Sequence, residues 1–165
     1  MESVSKWSKK SRLFIKTTGK EEPRDVLGGE YKHNLDTKNR IFIPSKLRDE
    51  LGDSFIVAKD IRETCLKVYS LEGWEEYIKP LREQKRSLSE KIIRHLHASL
   101  AQVTPDGQGR IVLPPELIAH AQIEKNVIVV GCCDYAEIWS EQVYESMKQK
   151  EDMTQILAEL EALGL

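Results

Sequence analysis

A chain of 165 residues, with 32% charged residues and a formal net charge of −2, is long enough for one or two small domains. The near-neutral charge excludes a protein that coats nucleic acid through bulk positive charge, so any contact with DNA must come from a local basic patch. No apolar run is long enough to cross a membrane. Three cysteines without metal or redox spacing predict reduced thiols in a cytoplasmic protein.

The two ends of the chain differ in charge. Residues 1–26 carry seven basic and four acidic side chains, and their poor hydrophobic periodicity predicts a disordered basic tail. Two interpretations of this segment stay open: a native tail that adds non-specific affinity for phosphates, or an upstream extension of a protein whose translation starts at Val26. Residues 151–165 carry four acids and no base, and we expect a partly disordered acidic tail with one or two amphipathic turns.

The five residues from Asp36 to Arg40 (DTKNR) form the first candidate site, a turn between two predicted strands. The Asp36 side chain can accept hydrogen bonds from the backbone that follows it, and Asn39 tolerates a positive φ. Beyond the turn the side chains alternate, which places Ile41 and Ile43 on one strand face and Arg40 on the other.

The rest of the first half is predicted as short alternating elements. They are a strand at residues 30–35, a helix at residues 45–51 that Gly52 ends, strands at residues 55–58 and 65–69, and a helix that Ser70 caps. Pro80 is expected to kink or shorten that helix. A bridging helix follows, with a capping box at residues 87–90 and one apolar stripe made by Leu88, Ile92, Leu96 and Leu100.

The second half repeats the first. The turn from Asp106 to Arg110 (DGQGR) lies seventy positions after the first turn, with Gly109 in the place of Asn39. The same offset relates Leu47 to Leu117, Tyr69 to Trp139, Ser70 to Ser140, and Trp74 to Tyr144. We predict strands at residues 127–130 and 136–139 and a helix that Ser140 caps. Self-similarity in one register indicates a duplicated fold unit, and halves of about 50 to 60 residues are too small for independent cores.

The paired Asp-x-x-x-Arg motifs resemble those of the bacterial MraZ family. Further similarity runs from Val26 to Met147 and includes Gly29-Glu30-Tyr31, the residues from Ile43 to Arg48 (IPSKLR), Val129-Val130-Gly131 and Glu137-Ile138-Trp139. The resemblance implies a mixed α/β fold with two tandem swapped-hairpin, AbrB-like β-barrel half-domains in pseudo-two-fold relation and with peripheral helices. It also implies a ring-like homo-oligomer that binds DNA and regulates the division and cell-wall gene cluster. The family's first motif usually has Gly where this chain has Asn39.

The expected domain organisation has five segments. They are a basic tail at residues 1–26, a first AbrB-like unit with its helix at residues 27–84, a bridging helix at residues 85–101, a second unit at residues 102–150, and an acidic tail at residues 151–165.

Catalysis has no candidate constellation in the sequence. The four histidines, His33, His95, His97 and His120, lack partners at metal-ligand spacing, and no glycine-rich phosphate loop joins a strand to a helix. We therefore expect no enzymatic activity, no metal, no cofactor and no small-molecule substrate. The aromatic residues Tyr69, Trp74, Trp139 and Tyr144 are predicted as core. The cations Lys85, Arg86, Lys91 and Arg94 are predicted as a solvated helix face, with a contact to DNA as the alternative.

Arg40 and Arg110 are the candidate DNA-binding residues, because the guanidinium fork matches a phosphate or the edge of guanine. The supporting candidates near the first turn are Lys32, His33 and Lys38. These favour the first turn as the main contact, and the resemblance likewise points to the motif arginine, Arg40 first. The alternative is that each arginine is structural and pairs with its own Asp36 or Asp106.

The expected function is sequence-specific regulation of transcription at the nucleoid. One turn offers few contacts, so a ring that presents several copies should bind short direct repeats upstream of its own operon through effective concentration. Two other classes stay open: an antitoxin-like module that binds a toxin, and a structural ring that binds protein. The predicted partners are double-stranded DNA and further copies of this chain, with no membrane.

Overall fold

The computed structural model of the chain describes residues 26–84 and 86–165. The predicted basic tail, apart from Val26, lies outside the described residues, as does Lys85. In chain order the described elements are β1 (Glu30–Asn34), β2 (Arg40–Phe42), α1 (Ser45–Leu51), β3 (Phe55–Lys59), β4 (Leu66–Ser70), α2 (Leu71–Arg82), α3 (Arg86–His97), β5 (Ala101–Val103), β6 (Arg110–Val112), α4 (Pro115–His120), β7 (Asn126–Gly131), β8 (Ala136–Ser140), α5 (Glu141–Lys150) and α6 (Met153–Ala162).

Local signals in the sequence account for most of these boundaries. Helix α1 ends at Gly52, whose φ of 91° few other residues adopt easily. Helix α2 begins after Ser70, whose hydroxyl accepts a hydrogen bond of 2.9 Å from the backbone N–H of Gly73. Ser140 holds the same position before α5 but its side chain makes no capping hydrogen bond, so the prediction that it caps α5 is wrong in this respect.

Strand pairing crosses between the two halves. The six-stranded sheet has the order β1-β7-β8-β4-β3-β5, and a separate two-stranded sheet joins β2 to β6. All pairings among the described strands are antiparallel. Strand β1 of the first half pairs with β7 of the second, and β5 of the second half pairs with β3 of the first. The strands that flank each candidate turn therefore lie in different sheets.

Two strand pairs show the internal symmetry of the duplication. Lys67 of β4 lies opposite Glu137 of β8, and Ile41 of β2 lies opposite Ile111 of β6. Each residue thus faces the one seventy positions away from it, which is what a local two-fold axis through both pairs requires. The sequence repeat at this offset is therefore a repeat of structure.

The central core is built by both halves together. It includes Ile41, Ile43, Ile111 and Leu113 on the inner face of the β2–β6 ribbon, each at most 1% exposed. Residues from β3, β4, β7, β8, α1 and α4 pack against them. Since neither half is large enough for a core of its own, the exchange of strands gives both halves one shared interior.

The predicted aromatic core residues lie in two separate clusters under the peripheral helices. The rings of Tyr69 and Trp74 are 5.5 Å apart beneath α2, and those of Trp139 and Tyr144 are 5.8 Å apart beneath α5. All four side chains are buried, which confirms the prediction that they pack and do not form an exposed stacking surface.

The bridging helix α3 differs from its prediction. It begins at Arg86, so Ser87 lies in its first turn and not before it. The predicted apolar stripe is wrong at Ile92, which is 46% exposed whereas Ser89 is buried, and the side chain of Leu88 lies outside the described residues. Leu96 and Leu100 do pack against the aromatic cluster of Tyr69 and Trp74.

Two further predictions about helices need correction. Helix α2 continues past Pro80 to Arg82, so the proline does not end it early; Pro80 stands in the last turn, and its missing N–H removes a single hydrogen bond of the helix. The predicted partly disordered acidic tail instead forms α6, whose N-cap Asp152 accepts a hydrogen bond of 2.9 Å from Thr154. In the part of the chain that the structure describes, no helix combines the length and apolar character needed to cross a membrane.

Candidate nucleic-acid interface

The first turn is closed by its own aspartate. The Oδ1 atom of Asp36 accepts hydrogen bonds of 2.9 Å from the backbone N–H groups of Lys38 and Arg40. The backbone N–H of Asn39 donates to the carbonyl of Asp36 at 3.1 Å, and Asn39 has a φ of 57°. Both expectations for this turn, a capping aspartate and a left-handed Asn39, are confirmed.

The second turn has the same geometry. The Oδ1 atom of Asp106 accepts from the backbone of Gln108 and of Arg110, both at 2.9 Å. Gly109 takes the left-handed position with a φ of 80°. Two five-residue segments with different sequences thus build one backbone shape.

Both carboxylates are stabilised in the ionised form. The pKa of Asp36 is held below its ordinary value, first by the hydrogen bond from the backbone of Arg40 and then by the Arg40 side chain. The pKa of Asp106 is lowered in the same way, with the backbone of Arg110 as the main cause. Each aspartate therefore stays negative next to its arginine at neutral pH.

Each arginine pairs with the aspartate of its own turn. The Nε atom of Arg40 lies 2.7 Å from Oδ2 of Asp36, and Nε of Arg110 lies 2.9 Å from Oδ2 of Asp106. Neither arginine is buried, because the side chains remain 26% and 29% exposed. Among the described residues, the hydrogen bonds of both guanidinium groups use Nε and leave the terminal nitrogens unbonded. The structural interpretation of the arginines is thus correct without excluding a second contact from the outer nitrogens.

The β2–β6 pairing brings the two turns to one surface. Arg40 lies opposite Val112, and Phe42 lies opposite Arg110. These four residues form the outer side of the ribbon, which we call the ribbon face, since their neighbours Ile41 and Ile111 point into the core. Arg40 and Arg110 are diagonal neighbours on this face, and the Cα atoms of such neighbours lie about 7–8 Å apart. The sequence predicted two tips, and the structure places both on one face.

Phe42 is framed by two further side chains. The ring of His33 meets it edge-on at 5.0 Å, and the guanidinium of Arg48 lies 5.6 Å from its centroid. Arg48 belongs to α1, and its Nε atom donates to the carbonyl of Ile43 at 2.8 Å. This hydrogen bond holds the Arg48 side chain beside the ribbon. Partial burial lowers the pKa of His33, which favours the neutral form of its ring.

Arg48 also lies at this surface, although the sequence did not single it out as a DNA-binding candidate. Its place in the sequence does carry a signal, because it follows Pro44 by four residues and so stands one helical turn after the start of α1. The contact of Arg48 with the second turn has no signal in the sequence. A Cβ atom on Gly109 would lie 2.6 Å from the guanidinium carbon of Arg48. That proximity joins residues sixty-one positions apart in the chain.

The predicted lysines are placed differently from each other. Lys38 is exposed at the first turn. Lys32 alternates with His33 along β1, and its ammonium pairs with Glu141 of α5 at 3.2 Å, which also raises the pKa of Lys32. The prediction that Lys32 clusters with His33 at the turn is therefore wrong, because adjacent residues of a strand face opposite sides.

The described residues hold no group of three or more histidine, cysteine or acidic side chains that could bind a metal ion. The fold and the ribbon face together define a duplicated α/β protein that presents two aspartate-oriented arginines on one two-stranded ribbon.

Comparison with known proteins identifies the family. The profile described as "MraZ protein, putative antitoxin-like" matches residues 26–99 and again residues 96–162. A protein of Clostridium acetobutylicum named "Transcriptional regulator MraZ" is 40% identical over 141 residues, which is 83% of this chain and 98% of the relative. A second protein named "Transcriptional regulator MraZ", from Caldanaerobacter subterraneus subsp. tengcongensis, is 39% identical over 132 residues. These residues make up 78% of this chain and 91% of the relative. The chain belongs to the MraZ family, and the resemblance of its motifs is confirmed.

Proposed function

We propose that this chain is a transcriptional regulator that binds double-stranded DNA through its ribbon face. The observation that carries the proposal is the placement of Arg40 and Arg110 on the outer side of one exposed two-stranded ribbon. The major groove admits a two-stranded β-ribbon, and the guanidinium fork matches the O6 and N7 atoms of guanine. The relatives' name, transcriptional regulator, supports the same function.

The aspartates act as positioning residues in this proposal. Because Asp36 and Asp106 hold the Nε atoms, the outer nitrogens are aimed before DNA arrives, and less side-chain entropy is lost on binding. Surface ion pairs add little stability by themselves, so orientation is the larger benefit of these pairs.

The other residues of the face have distinct tasks. Val112, 58% exposed, and the half-buried Phe42 offer apolar surface to a thymine methyl group. Lys38 contacts a phosphate at the edge of the groove and adds affinity without selectivity. His33 and Arg48 hold the Phe42 ring in place, whereas Lys32, which is paired with Glu141, contributes only at the periphery.

Assembly completes the proposal. The exchanged strands fit a swapped-hairpin, AbrB-like unit repeated twice, and copies of the chain would close into a ring that presents several ribbon faces. Each face offers few contacts, so the ring gains affinity where the operator carries spaced direct repeats, as we expect upstream of its own operon at the nucleoid.

The test measures binding of variants to a fluorescent duplex taken from upstream of the protein's own gene. Arg40→Ala and Arg110→Ala should each raise Kd by about tenfold or more, because a good guanine contact contributes about 1–3 kcal/mol. Lys38→Ala should lower the salt dependence of log Kd by about one unit and change affinity for all sequences alike.

Arg82→Ala is the matched control, since Arg82 is 58% exposed and pairs with Glu75 on α2, outside the ribbon face. This variant should bind as the parent does. If both ribbon variants also bind as the parent does, the ribbon face is not the DNA contact.

The family description also contains the term antitoxin-like, which keeps a toxin-binding role as a second candidate. A small protein that copurifies with the chain in stoichiometric amount, and that Arg40→Ala does not release, would support that role.

A further inference from the structure

The last helix, α6, is amphipathic and buries none of its side chains. Its apolar residues Met153, Ile156, Leu157 and Leu160 follow the i, i+3, i+4, i+7 pattern of a single face. Met153, Leu157 and Leu160 are 59%, 56% and 38% exposed. At 100° per residue, Glu159 and Glu161 flank this face on its two sides. We call this surface the α6 face.

An open groove with the opposite charge lies elsewhere on the same chain. Helix α3, the start of the β3–β4 loop and α4 bound it, and its lining includes the cations Lys59, Lys91 and Arg94 and the histidines His95 and His120. Among the described residues Lys91 and Arg94 form no ion pair. Of the two acids in the lining, the Asp60 carboxylate is already paired with Lys67 at 3.6 Å. We call this surface the α3 groove.

The α3 groove also offers apolar surface. Ile61, which is 58% exposed, and Leu96 line it, and Ile92, which belongs to α3 but not to the lining, is 46% exposed. The α6 face and the α3 groove thus match in two respects, because each exposes large apolar side chains and the charges around them are of opposite sign.

The α6 face and the α3 groove of one chain lie in different parts of the fold. Only Glu151 and Asp152 connect α6 to α5, and α5 packs against β7 and β8. The α3 groove lies beside β3, on the far side of β4 in the sheet order. A two-residue connection holds α6 close to α5, so the partner that fits the groove is α6 of another copy.

We infer that the α6 face of one chain docks into the α3 groove of the next, and that this contact links copies head to tail. The two surfaces differ, so the interface is heterologous, and such an interface generates either a closed ring or an open filament. The inference rests on the assembly within the proposed function and names the contact that forms it.

The first measurement is the mass of the particle by native mass spectrometry. The parent is expected as an oligomer, and Leu157→Asp as a single chain, because the substitution places a carboxylate within the apolar face. Ala158→Asp is the matched control, since it adds the same charge on the opposite side of α6 and should keep the parent mass. A monomeric parent, or an oligomeric Leu157→Asp variant, overturns the inference.

The second measurement distinguishes a head-to-tail contact from a symmetric one. The double variant Lys91→Glu/Arg94→Glu has a defective groove and an intact α6, whereas Leu157→Asp has the reverse. Each alone should be monomeric, and an equimolar mixture should form a heterodimer that cannot extend, because a single functional junction is left. A mixture that remains monomeric contradicts the inference, as would a groove variant that keeps the parent mass.

Failure of this inference can be told from failure of the proposed function. Arg40→Ala should lower affinity for the upstream duplex without changing the mass, whereas Leu157→Asp changes the mass and leaves the ribbon face intact. If the groove variant keeps its mass and loses DNA affinity, the α3 groove is a second DNA surface and the docking of α6 is wrong. Circular dichroism on every variant confirms that the fold is retained.

Discussion

The two turns of the ribbon face have one backbone and different side chains. Both are closed by an aspartate that accepts two backbone N–H groups at 2.9 Å, but the left-handed residue is Asn39 in one and Gly109 in the other. The first turn exposes Lys38 where the second exposes Gln108. The duplication has kept the geometry that orients an arginine and has varied the chemistry around it.

Arg48 explains one of these differences. Its guanidinium lies over Gly109, where a Cβ atom would approach to 2.6 Å. The residue at the equivalent place in α4 is Ile118, which packs against the core and extends no charged group over the first turn. A Cβ atom at position 109 requires the Arg48 side chain to move, so the symmetry of the backbone does not extend to its surroundings.

The largest effect is expected where the halves are most alike, at the buried pair Ile41 and Ile111. Either Ile→Ala substitution should lower the free energy of unfolding by about 2–5 kcal/mol, because it removes buried methyl groups and leaves a cavity. Urea unfolding measures both, and the two losses should be similar since the residues face each other at 0% and 1% exposure. Val112→Ala, on the exposed face, is the control and should change stability little. A loss confined to one isoleucine would mean that the halves do not share their core.

A smaller effect should separate the two left-handed positions. Gly109→Ala should lower the free energy of unfolding by about 1–2 kcal/mol, because a Cβ is unfavourable at a φ of 80° and displaces Arg48. Asn39→Gly should stay within about 0.5 kcal/mol of the parent, because glycine accepts the same φ freely. Thermal unfolding at constant pH measures both, and equal losses at the two sites would show that Arg48 does not distinguish them.

The smallest effect concerns pH and should be equal in the two turns. The pKa values of Asp36 and Asp106 are lowered in the folded chain, mainly by backbone N–H groups. The stability that they contribute is therefore present above the unfolded pKa of about 3.9 and is lost as pH falls through the lower folded value. Asp36→Asn and Asp106→Asn should each lower the unfolding temperature at pH 7, and this difference from the parent should shrink below about pH 4. A difference that persists unchanged at pH 2.5 would assign the effect to lost packing.

The parts of the site that could be predicted are those that depend on neighbours along the chain. The aspartate caps and the positive φ at Asn39 and Gly109 arise within five residues, so the residue types alone indicate them. The helix α3 shows where such reasoning fails. Its apolar stripe is regular in the sequence, but Ile92 is 46% exposed whereas Ser89 is buried, because contacts with other elements decide which side of a helix is covered. The predicted place of Lys32 at the first turn fails for a similar reason, since its partner Glu141 belongs to another element, α5.

The sequence by itself determined that the chain is a duplication and that each copy has an aspartate-closed turn. It also determined that Arg40 and Arg110 lie on the strand face opposite to the one that carries Ile41 and Ile111 into the core. These properties follow from local hydrogen bonds and from the two-residue period of a strand. Only the tertiary structure decided that β2 pairs with β6 and that β1 pairs with β7, because strand partners are selected by packing across the whole chain. That choice places both arginines on one ribbon and brings Arg48 and His33 to its edge.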